Sequence, residues 1–237
     1  MKTRQLFDPE SSTYSYLVWD VETREAVLID PVQGQVNRDM QLIRELDLIL
    51  RYTLETHVHA DHITGSGILR QALNSIVVVH ENSKTKCADV QIKGGDFIPL
   101  GANRINVLYT PGHTDSDISF VIPGAVFTGD SLLIRGCGRT DFQSGDAARL
   151  YNSVKQQLFT LPGDTIVYPG HDYQGRNCST IAEEMAHNPR LGNNKRLEEF
   201  VAIMGNLNLP PPKHIREALP SNLLCGTQIV STPTTQY

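Results

Sequence analysis

Short apolar runs, rich in β-branched and aromatic residues, punctuate the chain and set its predicted elements. Tyr14–Trp19 and Ala26–Ile29 flank the polar stretch Asp20–Glu25 and predict a two-stranded hairpin. Asp39–Leu46 places Met40, Ile43 and Leu46 at helical spacing, and Leu48–Leu54 reads as a buried strand. Thr64–Leu73 predicts a helix through Ile68, Leu69 and Leu73, followed by a strand at Ile76–Val79. The second half repeats this rhythm. Ile105–Tyr109, Ile118–Ile122 and Ala125–Thr128 predict strands interrupted by Pro-Gly pairs, Ala147–Phe159 an amphipathic helix, and Thr165–Tyr168 a further strand. Past Asp172 the pattern turns helical, at Thr180–His187 and Lys195–Asn206, then Pro-rich from Pro210. Mixed strands followed by helices, twice over, predict an α/β fold with two sheets face to face and helices outside. The expected organisation is a single domain over residues 1–226, helical from about 174, with a disordered tail over 227–237.

Composition narrows the function classes. With 237 residues, 40% of them hydrophobic and 20% charged, the chain can bury its own core. Its 21 basic against 26 acidic residues give a net charge of −5, without the basic footprint of a nucleic-acid binder. No apolar run approaches the ~18 residues of a membrane span. The start, MKTRQLFDPES, lacks the apolar stretch of a secretory signal, so a cytoplasmic protein is expected, with a processed form in the mitochondrial matrix as the alternative. Cys87, Cys137, Cys178 and Cys225 are scattered without a CxxC pair and predict free thiols rather than a disulfide framework.

The chemistry collects at strand ends. One apolar run leads into His57-Val58-His59-Ala60-Asp61-His62, a second into Pro111-Gly112-His113, a third into Gly129-Asp130, and a fourth into Pro169-Gly170-His171. Five of the chain's eight histidines fall in these four places. A rigid sheet holds side chains at such points while Gly and Pro turn the backbone away. Imidazoles plus carboxylate, without thiolate, suit a borderline divalent metal such as zinc or iron. His80, His187 and His214 lack such company and read as surface or packing residues.

The HVHADH, PGHT, TGD and YPGHD motifs resemble those of the metallo-β-lactamase superfamily, which implies an αββα sandwich with metal at one edge of the two sheets. THVHADHITGSG (Thr56–Gly67), FTGDSLLIRGCGRTDFQ (Phe127–Gln143), LFTLPGDTIVYPGHDYQG (Leu158–Gly175) and IMGNLNLPPP (Ile203–Pro212), with Cys225 beyond, are similar to the persulfide dioxygenases, the family of the ethylmalonic-encephalopathy protein. That resemblance runs from about Gln5 to Gly226. It implies a mononuclear Fe(II) enzyme, one iron per chain, with His57, His113 and Asp130 as ligands. It also implies oxidation of glutathione persulfide by O2 to sulfite and glutathione, and a homodimer. His59, Asp61, His62 and His171 are then hydrogen-bond partners of the ligands or a second metal site; the sequence leaves both open. The electron count fits, since taking the outer sulfur of a persulfide to sulfite releases four electrons and O2 consumes four. No GxGxxG or P-loop stretch for another cofactor appears.

A glutathione-derived substrate carries carboxylates, so cations are expected near the metal. Arg139 is the leading candidate anchor, with an ion pair to Asp141 as its alternative role, followed by Arg135, Tyr173 and Arg176, with Cys225 as a candidate lining residue. Two rivals remain. One is a glyoxalase II-like binuclear hydroxyacylglutathione hydrolase, against which stand the segment after His171 and the MGNLNLP segment. The other is a non-enzymatic metal-binding scaffold, which would be expected to have lost ligands.

Overall fold

The structure, a computed structural model, describes residues 1–211 and 214–227. Two six-stranded sheets carry the fold. In the first, β1 (Lys2–Asp8), β2 (Thr13–Trp19), β3 (Glu25–Ile29), β4 (Ile49–Leu54), β5 (Ile76–His80) and β6 (Val90–Ile92) lie in that spatial order. β1, β2 and β3 pair antiparallel, as a hairpin must, and pairing is parallel from β3 to β6. Parallel neighbours need crossovers. Helix α1 (Val36–Glu45) supplies the one between β3 and β4, and α2 (Ser66–Leu73) the one between β4 and β5.

The second sheet comprises β7 (Phe97–Leu100), β8 (Asn103–Tyr109), β9 (Ile118–Ile122), β10 (Ala125–Gly129), β11 (Ile166–Pro169) and β12 (Ser179–Thr180). All its pairs are antiparallel except β10–β11, whose crossover contains α3 (Ala147–Ser153). Helices α4 (Ile181–His187), α5 (Leu197–Gly205) and α6 (Ile215–Asn222) follow.

Alternate residues of each strand face opposite ways, and both faces of both sheets find apolar cover. Tyr14, Tyr16 and Val18 point from β2 into the space between the sheets, where they meet Phe120 of β9 and Phe127 of β10. Leu17 points the other way and packs with Leu28, Ile43 of α1 and Leu69 of α2. Val126 and Val167 of the second sheet pack outward against Leu150 of α3 and Phe200 of α5. Strands covered on both sides read as continuous apolar runs rather than alternating ones, which is the pattern of the sequence. The fold is the αββα sandwich.

Several elements depart from expectation. The helix predicted over Ala147–Phe159 is α-helical only to Ser153. Val154–Leu158 then forms a wider turn in which Phe159 N–H reaches Val154 O, keeping Val154 and Leu158 both buried. Strands β1, β6, β7 and β12 and helix α6 were not foreseen. Cys87 and Cys225 are not free thiols. They form a disulfide across a sequence separation of 138, because the turn after α6 folds back beside the β5–β6 loop. Cys137 and Cys178 are free. The tail expected beyond Gly226 lies, from residue 228 on, outside the described residues. No helix among the described residues is long and apolar enough to cross a membrane.

Phe127 is fully buried, with its ring centroid 5.0 Å from that of Tyr16 and 5.3 Å from that of Tyr168. Phe127→Ala should cost about 3–5 kcal/mol in urea unfolding, the range of large-to-small changes in a packed core. A loss below about 1 kcal/mol would mean that the sheets do not close around this ring.

Candidate metal centre

Five strands of the two sheets release their chemistry at their carboxyl ends. Asp30 follows β3, His57–His62 follow β4, His113 follows β8, Asp130 follows β10 and His171 follows β11. Sheet pairing brings these ends to one rim of the sandwich.

His57 is oriented from behind. Thr56 donates its hydroxyl proton to Asp30 Oδ2 at 2.8 Å, so the same oxygen can only accept from His57 Nδ1, 3.0 Å away. The Nδ1–H tautomer leaves Nε2 with its lone pair. Burial first, and the neighbouring His59 and His113 after it, hold the His57 pKa well below the usual histidine value, which keeps the ring neutral. His113 is fixed in the same way, its Nδ1 donating to the Arg139 carbonyl at 2.7 Å. Its Nε2 then stands 3.6 Å from Asp130 Oδ2. One donor atom from each of His57, His113 and Asp130 lies within 4.8 Å of the others. Two imidazoles and a carboxylate converging in this way fit a divalent metal.

Two glycines make the approach possible. A Cβ on Gly138 would stand 2.8 Å from the His113 ring and from Asp130 O, and one on Gly170 would stand 2.8 Å from Asp130 Oδ1. The GCG and PGH sequences therefore serve as clearance around the donors.

His59, Asp61 and His62 form a second group within the same distance of one another. His59 Nε2 lies between two carboxylates, 3.2 Å from Asp30 Oδ1 and 3.3 Å from Glu55 Oε2. Burial opposes charge on this ring, but Asp30 and Glu55 outweigh it and raise the pKa well above the usual value. Glu55 is itself bonded by the hydroxyls of Thr64 and Ser66. Asp61 Oδ2 pairs with His62 Nδ1 at 2.9 Å and accepts from Thr13 at 3.2 Å. Against the cost of burial, His62 and His171 hold Asp61 well below the usual carboxylate range. His171 Nδ1 meets Ser12 O at 3.2 Å, and its Nε2 stands 3.6 Å from both Asp61 Oδ2 and Asp130 Oδ1. Three buried polar atoms, His59 Nδ1, His62 Nε2 and Asp130 Oδ1, have no protein partner.

The candidate substrate residues are distributed differently. Arg139 is engaged internally. It binds Asp141 through Nε and Nη2 at 2.7 and 2.8 Å, donates to the carbonyls of Pro210 and Leu209, and stacks on Phe142. Its guanidinium thus pins the segment after α5 while its own carbonyl orients His113, so it is not a free cation for a substrate carboxylate. Arg135 pairs with Glu184 and Ser179, and Arg176 with Asp172 at 2.8 and 3.0 Å. Cys225 is in the disulfide. Tyr173 remains available: it is 74% exposed, and its ring lies parallel to that of His171 at 6.0 Å. Asp30, Thr56, Glu55 and Thr13 were missed as site residues. Only Thr56 and Glu55, beside the HVHADH motif, carried a local hint.

Comparison with known proteins agrees with this geometry. The family model "Metallo-beta-lactamase superfamily" matches residues 8–171. The mitochondrial persulfide dioxygenase ETHE1 of Homo sapiens is 52% identical over 233 residues, covering 98% of this chain and 90% of its own. The chain belongs to the metallo-beta-lactamase superfamily, in its persulfide dioxygenase branch. The crystal structure of ETHE1 from Myxococcus xanthus superimposes with a TM-score of 0.93 at 57% identity, covering 95% of this chain and 100% of that one. A hydroxyacylglutathione hydrolase of Brucella ovis is more distant, 33% identical over 172 residues, covering 71% of this chain and 65% of its own.

Thr56→Val keeps the shape at Thr56 but removes the hydroxyl that fixes His57. It should weaken metal binding about 10–100-fold in a competitive chelator titration, with Thr56→Ser restoring most of it. Equal affinity in Thr56→Val and wild type would show that His57 needs no orienting partner. Arg139→Ala should lower thermal stability and kcat while leaving KM within about twofold, because the loss is felt through His113 rather than through ground-state binding. A KM increase above about tenfold at unchanged kcat would restore Arg139 as a substrate anchor.

Proposed function

We propose that this protein is an iron-dependent persulfide dioxygenase, oxidising glutathione persulfide with O2 to sulfite and glutathione. The observation that carries the reading is the 52% identity to a persulfide dioxygenase across 98% of the chain, with His57, His113 and Asp130 converging at the rim. The homodimer expected from the family resemblance belongs to the same proposal.

Iron at this centre would supply the redox chemistry with O2 that the protein's own side chains lack. His57 and His113 would hold the iron through Nε2 and Asp130 through its carboxylate, a donor set of the kind that suits iron used with O2. Thr56 and the Arg139 carbonyl keep the two imidazoles from turning. His171 Nε2 faces the other oxygen of Asp130, and Asp130 and Asp61 raise its pKa against the effect of burial. A proton on that ring would balance the carboxylate charge of Asp61 and Asp130. His59, Asp61, His62 and His171 act in this reading through hydrogen bonds and charge next to the single metal. Tyr173, exposed beside His171, is the side chain proposed to meet the peptide part of the substrate.

The hydroxyacylglutathione hydrolase reading would need a metal in the His59–Asp61–His62 group as well. Its relative is the more distant one. Steady-state assays separate the two. O2 uptake with glutathione persulfide, one O2 for each sulfite formed, is the expected result, with no cleavage of a lactoyl-glutathione thioester. Thioester cleavage without persulfide-dependent O2 uptake would overturn the proposal. Asp130→Asn should lose activity by at least about a hundredfold, since it removes the anionic ligand. His171→Ala should lose about 10–100-fold. An Asp130→Asn enzyme close to wild-type rate would mean that the ligand set is wrong.

A further inference from the structure

The turn that follows α6 reaches the metal loop from outside both sheets. Asn222, 6% exposed, donates from Nδ2 to the carbonyls of His59 and His62 at 2.8 Å each and accepts from Thr64 N at 2.9 Å. Gly67 N donates to Cys225 O at 3.0 Å, and Gln33 Nε2 to Gly226 O at 2.8 Å. One side of this turn therefore grips the loop that carries His57–His62. The other side is held to the β5–β6 loop, by Lys86 N to Leu223 O at 3.0 Å and by the Cys87–Cys225 disulfide.

Apolar packing of the clamp is local: Ala218 of α6 is fully buried, and Leu219, Leu223 and Leu224 are half-buried. The chain arrives from Asn208–Pro211, which is exposed, and of residues 214–226 only Cys225 belongs to an apolar cluster, the small one with Val77 and Val79. Cys225 also forms one wall of a cavity of about 10 Å³, room for about one water, whose other walls include Glu55, His57, His59 and His80. The crosslink thus sits directly behind the metal loop.

We propose that Cys87–Cys225 is a thiol-exchange site whose opening loosens the Asn222 clamp and speeds release of the bound metal. Small thiolates are the reacting class. A thiolate attacks the sulfur of Cys87, the less buried partner. The new bond is the mixed disulfide between Cys87 and the thiol, the protein S–S bond breaks, and Cys225 leaves as a thiolate that takes up a proton. A second thiolate attacks the outer sulfur of the mixed disulfide and releases Cys87. Two small thiols are oxidised to one disulfide, and the protein disulfide is reduced to two thiols. With the covalent tie gone, the turn is held by its hydrogen bonds and the local packing of α6, at the end of an exposed segment, and the three Asn222 bonds open more often. The inference concerns the chain's own crosslink and holds whichever sulfur compound is the substrate.

The test uses the full chain loaded with Fe(II) or Zn(II), treated anaerobically with dithiothreitol and desalted. Free thiols should rise from the two of Cys137 and Cys178 to four as Cys87 and Cys225 open. Metal transfer to a colorimetric chelator should become about tenfold faster, in the range of losses of support around a ligand. Amide hydrogen exchange at Thr64 should rise in step, and reoxidation should reverse both changes. Cys87→Ser should release metal at the fast rate with no further response to dithiothreitol. Asn222→Ala should be fast in either redox state. Unchanged metal release and Thr64 exchange after the thiols appear would overturn the proposal, whatever the variants do. So would equal acceleration by dithiothreitol in Cys87→Ser, which would assign the effect to the reagent. Because metal release is read without O2 or persulfide, failure here is distinct from failure of the dioxygenase reading.

Discussion

The carboxylate of Asp30 is buried at the end of β3, accepts hydrogen bonds from Thr56 N at 2.7 Å and Thr56 Oγ1 at 2.8 Å, and faces His59 Nε2 at 3.2 Å. These contacts fix where the chain leaves β4 and which way it turns. Thr56, held at two atoms, can offer His57 only an accepting oxygen, and that leaves the Nε2 lone pair of His57 toward His113 and Asp130. His59 is drawn back toward Asp30 and Glu55 in the same arrangement. Removing such a buried carboxylate would leave its partners uncompensated in the interior, a loss of about 3–5 kcal/mol for a buried pair. One acid on a neighbouring strand thus supports a ligand it never touches.

The second sheet meets this frame through Arg139. Its carbonyl orients His113, and its guanidinium ties Asp141 and the carbonyls of Leu209 and Pro210 into one unit. The segments IRGCGRTD and MGNLNLP, far apart in the chain, therefore meet as one structural device beside the ligands. The loop that carries His57–His62 is held from three directions: from β3 by Asp30, from the second sheet by Ile118 N, which donates to Thr56 O at 2.9 Å, and from the C-terminal turn by Asn222.

Much of this was legible in the sequence because local patterns dictate it. Doubly covered strands gave continuous apolar runs, and Pro-Gly pairs marked where the ligand loops depart. What escaped detection has no local signature. β6 is three residues long. β7 contains Pro99 and lies at a sheet edge, where proline is tolerated but the strand pattern is spoiled. β1 is the other sheet's edge strand and presents polar residues along much of its length. Asp30 reads as an ordinary turn residue until β3 and β4 pair, and Asn222 as a surface amide until α6 folds back. Cys87 and Cys225 share no motif, and only the tertiary path brings their Cα atoms to 6.0 Å. Arg139 lies beside His113, from whose Nδ1 its carbonyl accepts, and of the two partners the sequence offered for its guanidinium it is Asp141, two residues on, that fills the fork.

In the proposed function, His57, His113 and Asp130 hold a single iron while the neighbouring histidines and Asp61 hold none. The most direct measurement is the metal content of protein purified without added metal, for wild type, Asp130→Asn and His171→Ala side by side. The account predicts about one iron per chain in wild type, most of it retained in His171→Ala and nearly all lost in Asp130→Asn. Two metal ions per chain in active wild type, falling to none in His171→Ala, would contradict it.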